Sequence, residues 1–133
     1  MPKKTEIQAV EMPPAKEYLA EIQRDGSQLC AADIFSETMA WLKDKGCEGV
    51  VSEHIVEEYA MTVARWVHLE QMISKYGYIA KHPTTGAPMQ SPYVTMAQAY
   101  SKQIIAIRDE INLLLKDARP RMTETVREVV YGG

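Results

Sequence analysis

The three histidines are the first residues to test for chemistry, because imidazole commonly binds metals and transfers protons near neutral pH. They are His54, His68 and His82. The first two are 14 residues apart, so on one helix they would share a face but lie about 21 Å apart along it. One metal ion could not reach both, and the paired Glu-x-x-His motifs of helical di-iron sites are missing. We therefore expect no metal site.

Carboxylates are the second candidates, because a pair of them can act as general acid and base. They recur on two predicted helices. These residues are Glu53, Glu57, Glu58 and Glu70 on the first, then Asp109, Glu110 and Asp117 on the second. Carboxylates on an acidic helix usually form a solvated face, and we expect that here. A helical enzyme that uses Glu57 or Glu58 stays open as a weaker alternative.

Other motifs for catalysis or cofactor binding are missing from the sequence. The seven glycines form no phosphate-binding or dinucleotide-binding motif, and no Ser, Thr or Cys stands in a recognisable nucleophile motif. The two cysteines, Cys30 and Cys47, lack the spacing of a zinc site or a disulfide framework and indicate a reduced protein. The sequence thus predicts no catalytic residue, no metal and no cofactor. It favours a protein that binds and assembles.

Charge is unevenly distributed along the 133 residues, although the net charge is only −3. Residues 30–60 carry 2 basic and 7 acidic groups, whereas residues 61–133 carry 9 basic and 6 acidic groups. The acidic segment of one copy could contact the basic segment of a neighbouring copy. A contact with DNA phosphates should come from the basic second segment. Two basic clusters are candidates for that contact. They are Lys75, Lys81, His82 and Lys102, and then Lys116, Arg119, Arg121 and Arg127.

Apolar periodicity and capping signals predict the elements of the first half. Pro14 can open a short helix that reaches about Arg24. A second helix should run from about residue 31 to residue 45 and end at Gly46. Ser52 is a suitable N-cap for a long helix over residues 53–76, which Gly77 ends.

The second half should begin with a short hairpin. Residues 78–81 can pair with residues 87–90, with Gly86 at a positive φ angle. Ser91 and Pro92 then predict the N-cap and first turn of a helix, and Arg119-Pro120 predicts its end near residue 118.

These elements predict an all-α fold with a helix-turn-helix-like start and two long antiparallel helices joined by a short β-hairpin excursion. Three regions follow: a flexible N-terminal arm with a short helix (1–28), a helical core (29–118) and a C-terminal tail (119–133). The first two helices of the core could be interpreted as a helix-turn-helix motif that recognises DNA. Packing of the two helices is the preferred interpretation, because Glu53, Glu57 and Glu58 would face DNA phosphates.

The last helix carries an apolar stripe that is wider than one neighbouring helix can cover. Surplus apolar surface of this kind indicates self-association. The candidate interface residues are Tyr100, Ile104, Ile107, Ile111, Leu114 and Leu115.

The sequence predicts a protein that stays in the compartment where it is made. No apolar run approaches the roughly 20 residues that span a bilayer. The first residues lack the apolar segment of a signal peptide. We therefore expect a cytoplasmic protein that does not contact membranes.

Six short motifs follow one another in a fixed order along the chain. They are Ala31-Ala32-Asp33-Ile34-Phe35, Trp41-Leu42, Glu58-Tyr59-Ala60, Tyr76-Gly77-Tyr78-Ile79, a turn with Gly86, and Gln90-Ser91-Pro92. This ordered set resembles the P27-like family of bacteriophage terminase small subunits, over roughly residues 29–118.

The resemblance implies a non-enzymatic packaging factor of a phage or prophage, at work in the bacterial host cytoplasm. Such proteins form ring-like homo-oligomers, engage double-stranded viral DNA and regulate the large terminase subunit, which carries the ATPase and nuclease activities. The alternative is a helical adaptor of a phage or mobile element that binds a protein partner and not DNA.

Overall fold

A computed structural model describes the backbone of residues 16–131 and the side chains of residues 16–118. The predicted arm over residues 1–14, with Pro14, lies outside the described residues. Three helices make up most of the described chain: α1 (Ala31–Asp44), α2 (Glu53–Tyr76) and α3 (Pro92–Tyr131). Two short strands, β1 (Ile79–Lys81) and β2 (Pro88–Gln90), join α2 to α3. The predicted all-α class with a small hairpin is confirmed.

Local capping chemistry sets the helix boundaries. The Ser52 hydroxyl accepts a hydrogen bond from the Ile55 amide, 3.3 Å away, and so caps the start of α2. Gly77, at φ +87°, ends that helix by donating its amide to the Ile73 carbonyl. At the end of α1 the Cys47 amide bonds the Leu42 carbonyl across Gly46, which is a Schellman motif. The predicted start and end of α2 are thus confirmed.

The hairpin forms between the two predicted segments. Ile79 pairs with Gln90 and Lys81 pairs with Pro88 in antiparallel fashion. Gly86 takes a φ of +72° and donates its amide to the His82 carbonyl, which closes the turn. The Ser91 amide donates to the Tyr78 carbonyl, so the hairpin is fixed to the start of α3.

Two predicted helix boundaries differ from the structure. The segment from Pro14 to Arg24 was expected to be helical, but only Glu17–Ala20 forms a 3-10 helix. Beyond it the chain is extended and Ile22 pairs with Gln28, because Gly26 at φ +86° closes a tight turn.

The last helix was expected to end near residue 118, yet α3 continues through Pro120 to Tyr131. A proline inside a helix removes one hydrogen bond and disfavours the helix by about 3 kcal/mol. Strong helix formers on both sides of Pro120 (Leu114, Leu115, Met122 and Glu124) oppose that penalty.

The core lies where α1, the first half of α2 and the middle of α3 meet. Its largest fully buried side chains are Phe35, Leu19, Leu42, Val56 and Cys47. Leu19 comes from the 3-10 helix, which therefore closes one side of the core. Beyond the core, the second half of α2 packs against the first half of α3 and carries the hairpin at its far end.

Candidate functional site

The acidic start of α2 was predicted to be a solvated face, and for Glu57 this is wrong. Only 6% of Glu57 is exposed, because the 3-10 helix lies over it. The Tyr18 hydroxyl donates a hydrogen bond to Glu57 Oε1 at 3.0 Å. Among the described residues, Glu57 Oε2 has no hydrogen-bond partner, and the Lys16 ammonium lies 4.0 Å from it. Sequence periodicity could not reveal this contact, because Tyr18 and Glu57 are distant in sequence.

The contacts of Tyr18 and Lys16 with Glu57 join the N-terminal segment to α2. We therefore interpret Glu57 as a structural residue. Glu58, the other proposed catalytic carboxylate, is exposed on a different side of α2. Partial burial of the Tyr18 hydroxyl, together with its hydrogen bond to Glu57, raises the pKa of Tyr18 above its ordinary value of 10.0.

Replacing Tyr18 with phenylalanine should lower the free energy of unfolding by about 1–2 kcal/mol, because both oxygens of the buried Glu57 then lack a donor. A raised pKa means that the bond stabilises the fold below pH 10 and that this contribution is lost as the pH rises through the folded pKa. Urea titrations at pH 7 and pH 11 should therefore show a difference between the two proteins at pH 7 that shrinks at pH 11. A constant difference would show that the hydroxyl–carboxylate bond is not its source.

A second polar contact secures the turn after the 3-10 helix. Asp25 Oδ1 accepts hydrogen bonds from the hydroxyl and the amide of Ser27, at 2.6 and 2.9 Å. Its other oxygen lies 3.7 Å from Nε2 of His68 on α2. The two bonds from Ser27 and the nearby His68 lower the pKa of Asp25. His68 thus has a structural contact, and the described residues contain no group of three or more His, Cys, Asp or Glu side chains that could hold a metal ion.

The hairpin end of the molecule carries the first predicted basic cluster, and we call it the tip (residues 71–95). The ammonium of Lys75 lies 5.3 Å from the centre of the Tyr76 ring, and Tyr76 stacks on Tyr93 at 6.5 Å. Lys81 and His82 are exposed beside them. The tip also exposes large aromatic and aliphatic side chains: Tyr76 is 60% exposed, Tyr78 65% and Ile79 57%.

The other predicted basic residues lie away from the tip. Lys102 is exposed on α3, nine residues after Tyr93, which places it about 14 Å along the helix from that ring. Lys116 is exposed near the other end of the described side chains. The side chains of Arg119, Arg121 and Arg127 lie outside the described part of the chain.

The predicted interface residues on α3 are largely used inside one copy of the chain. Ile104, Ile107 and Ile111 are only 7–8% exposed, because they pack against α2 and the core. Leu114 and Leu115 are half-buried against the same core, and Tyr100 is half-buried. The exposed apolar residues of the described α3 are Met96, Ile105 and Leu113.

Within the described part of the chain, no helix is long and apolar enough to cross a membrane. The fold is that of a helical protein whose exposed surfaces are an acidic body and a basic, aromatic tip.

Comparison with known families identifies the class. A family model described as phage terminase, small subunit, matches residues 31–126, which span all three helices and the hairpin. The chain therefore belongs to the phage terminase small-subunit family, and its role lies in phage DNA packaging. Small subunits of this family are generally non-catalytic. Membership of the P27-like group stays a prediction. No curated protein and no solved structure gives a significant match.

Proposed function

We propose that this chain is a non-catalytic component of a phage packaging terminase, which assembles with itself, engages viral DNA and regulates the large ATPase/nuclease subunit. It would do so in the cytoplasm of the bacterial host. The family match over residues 31–126 is the observation that carries the proposal.

Self-association into a ring is proposed to use the outer side of α3. Ile105 is 54% exposed and Leu113 is 59% exposed, and they lie eight residues, or about two turns, apart on the side of α3 that faces away from the core. Exposed aliphatic side chains at this spacing favour a helix-to-helix contact with a second copy. Leu114 and Leu115 of the predicted interface set are half-buried against the core on the other side of α3, so this contact would not use them.

Solution mass tests the assembly. We expect light scattering to give a multiple of the 15.0 kDa chain mass, and the double variant Ile105→Ser with Leu113→Ser to shift the population towards smaller species, because it removes apolar contacts. The matched control is Met96→Ser, since Met96 is 42% exposed and lies on the opposite side of α3 from Ile105. It should leave the mass unchanged.

A strictly monomeric wild-type protein at high concentration would contradict the ring. If that monomer were also not retained on DNA at low salt, the helical adaptor without DNA binding would be the better interpretation. Retention of the large subunit by the immobilised small subunit tests the regulatory partnership separately.

A further inference from the structure

We propose that the tip is the surface that meets nucleic acid, and that it binds the phosphate backbone of duplex DNA without reading base sequence. This inference rests on the proposed function and adds to it the site and the chemistry of the contact. It assigns Lys75, Lys81 and His82 to that contact and leaves Lys102 and Lys116 outside it.

The first argument is charge. Between Glu70 and Asp109 the sequence contains no aspartate or glutamate, while it contains Lys75, Lys81, Lys102 and Arg108. Residues 16–70, by contrast, carry 5 basic and 11 acidic groups. The tip takes its residues from the first of these segments, at the end of α2 that lies away from the core, whereas α2 begins among the acidic residues. A polyanion is therefore repelled by the body and attracted to the tip.

The distance to the nearest carboxylates on the same helices supports this separation. Glu70 is six residues before Tyr76 on α2, or about 9 Å along the axis, and Asp109 is sixteen residues after Tyr93 on α3, or about 24 Å. Both carboxylates thus lie further from these tyrosines than the Debye length of about 8 Å at physiological salt. Residues 71–95 themselves contain no carboxylate that would cancel the charge of the lysines.

The second argument is hydrogen-bond chemistry. Nδ1 of His82 accepts the amides of Thr84 and Thr85, at 3.1 and 3.3 Å. The proton of the neutral ring is therefore on Nε2, and this nitrogen of an exposed side chain can only donate. Lysine ammonium groups also only donate, and phenol hydroxyls can donate. The tip thus presents donors to a ligand, and phosphate oxygens are acceptors.

The side-chain types at the tip indicate backbone contact and not base recognition. The commonest base-specific contacts use the bidentate guanidinium of arginine or the amides of asparagine and glutamine. The charged groups of the tip are lysines, which act on phosphates as point charges. The tip contains no arginine or asparagine, and of its two glutamines Gln90 already accepts a hydrogen bond from the Thr95 hydroxyl. Tyr76 and Tyr78 add exposed rings, and tyrosine hydroxyls can bond phosphates. One tip offers few charges, so useful affinity would come from several copies bound together.

The test compares two variants that remove the same charge. Anisotropy of a labelled duplex of random sequence is measured with the full chain, from about 50 to 200 mM salt. We expect Lys75→Gln with Lys81→Gln to weaken binding at least tenfold. The slope of log affinity against log salt should become shallower by about 1.8 for each tip that contacts DNA. Lys102→Gln with Lys116→Gln should weaken binding less than twofold. All four lysines are exposed, so the fold should be retained.

Three results would overturn the assignment while leaving the proposed function in place. These are equal losses in the two variants, no loss in the tip variant, or a strong preference of the tip for one duplex sequence. A further test adds an unlabelled competitor, either poly-glutamate or duplex DNA of matched charge. If poly-glutamate displaced the labelled duplex as strongly as DNA does, the assignment would also be overturned, since the partner would then be an acidic protein surface. Failure of the wild-type protein to bind any duplex at low salt would instead remove the DNA-binding part of the proposed function.

Discussion

Replacing Phe35 with alanine is expected to lower the free energy of unfolding by about 3–5 kcal/mol, the usual loss when a buried phenylalanine is truncated. Phe35 is the only phenylalanine in the chain and is 0% exposed. It lies on α1 at the centre of the cluster that joins α1, α2 and α3. Its removal would leave a cavity beneath all three helices, because long helices cannot collapse freely around one missing side chain.

The control for this variant is on the same helix. Trp41 is a larger aromatic residue, but it is 47% exposed, so Trp41→Ala should destabilise the protein clearly less. Phe35→Leu fills most of the space and should cost only about 1–2 kcal/mol. Urea titrations followed by circular dichroism at one fixed protein concentration measure all three. Equal losses for Phe35→Ala and Trp41→Ala would show that burial on α1 does not determine its contribution.

The boundaries set by local chemistry were predictable from the sequence. Ser52 and Gly77 delimit α2 because a hydroxyl and a positive φ angle act on their immediate neighbours. The location of the hairpin follows from Gly86 and from the two short segments on either side of it, whereas the observed pairing of Ile79 with Gln90 was not predicted. The basic residues of the tip were also found from sequence, because two lysines and a histidine near a helix end need no tertiary information to be noticed.

Other features depend on contacts between residues that are distant in the sequence. The spacing of apolar residues along the chain does not predict such contacts. The apolar stripe of α3 indicated that Ile107 and Ile111 are covered. It could not distinguish a second copy of the chain from other elements of the same copy. In the structure they lie in the core of the same copy. The burial of Glu57 depends on Tyr18, which no local rule connects to it. The continuation of α3 past Pro120 shows a local rule outweighed by the helix-forming residues around it.

Leu19→Ala is the second variant with a large expected effect, because it tests whether the N-terminal segment belongs to the fold. The sequence assigned residues 1–28 to a flexible arm, and the division of the chain into regions is still a proposal. Yet Leu19 is 0% exposed and packs in the core cluster. Truncating a leucine at such a position should lower the free energy of unfolding by about 2–5 kcal/mol.

Ile22→Ala is its matched control, since it truncates an aliphatic residue three positions later that is 65% exposed. A change of this kind on the surface should stay within about 0.5 kcal/mol. Hydrogen exchange then separates local from global effects. If Leu19 anchors the segment over Glu57, exchange of the Leu19 and Gly26 amides, which bond the Lys16 and Gln23 carbonyls, should speed up in Leu19→Ala more than exchange in the hairpin. Two variants of equal stability would mean that the core is complete without the segment, and the helical core would then begin near Leu29 as the sequence predicted.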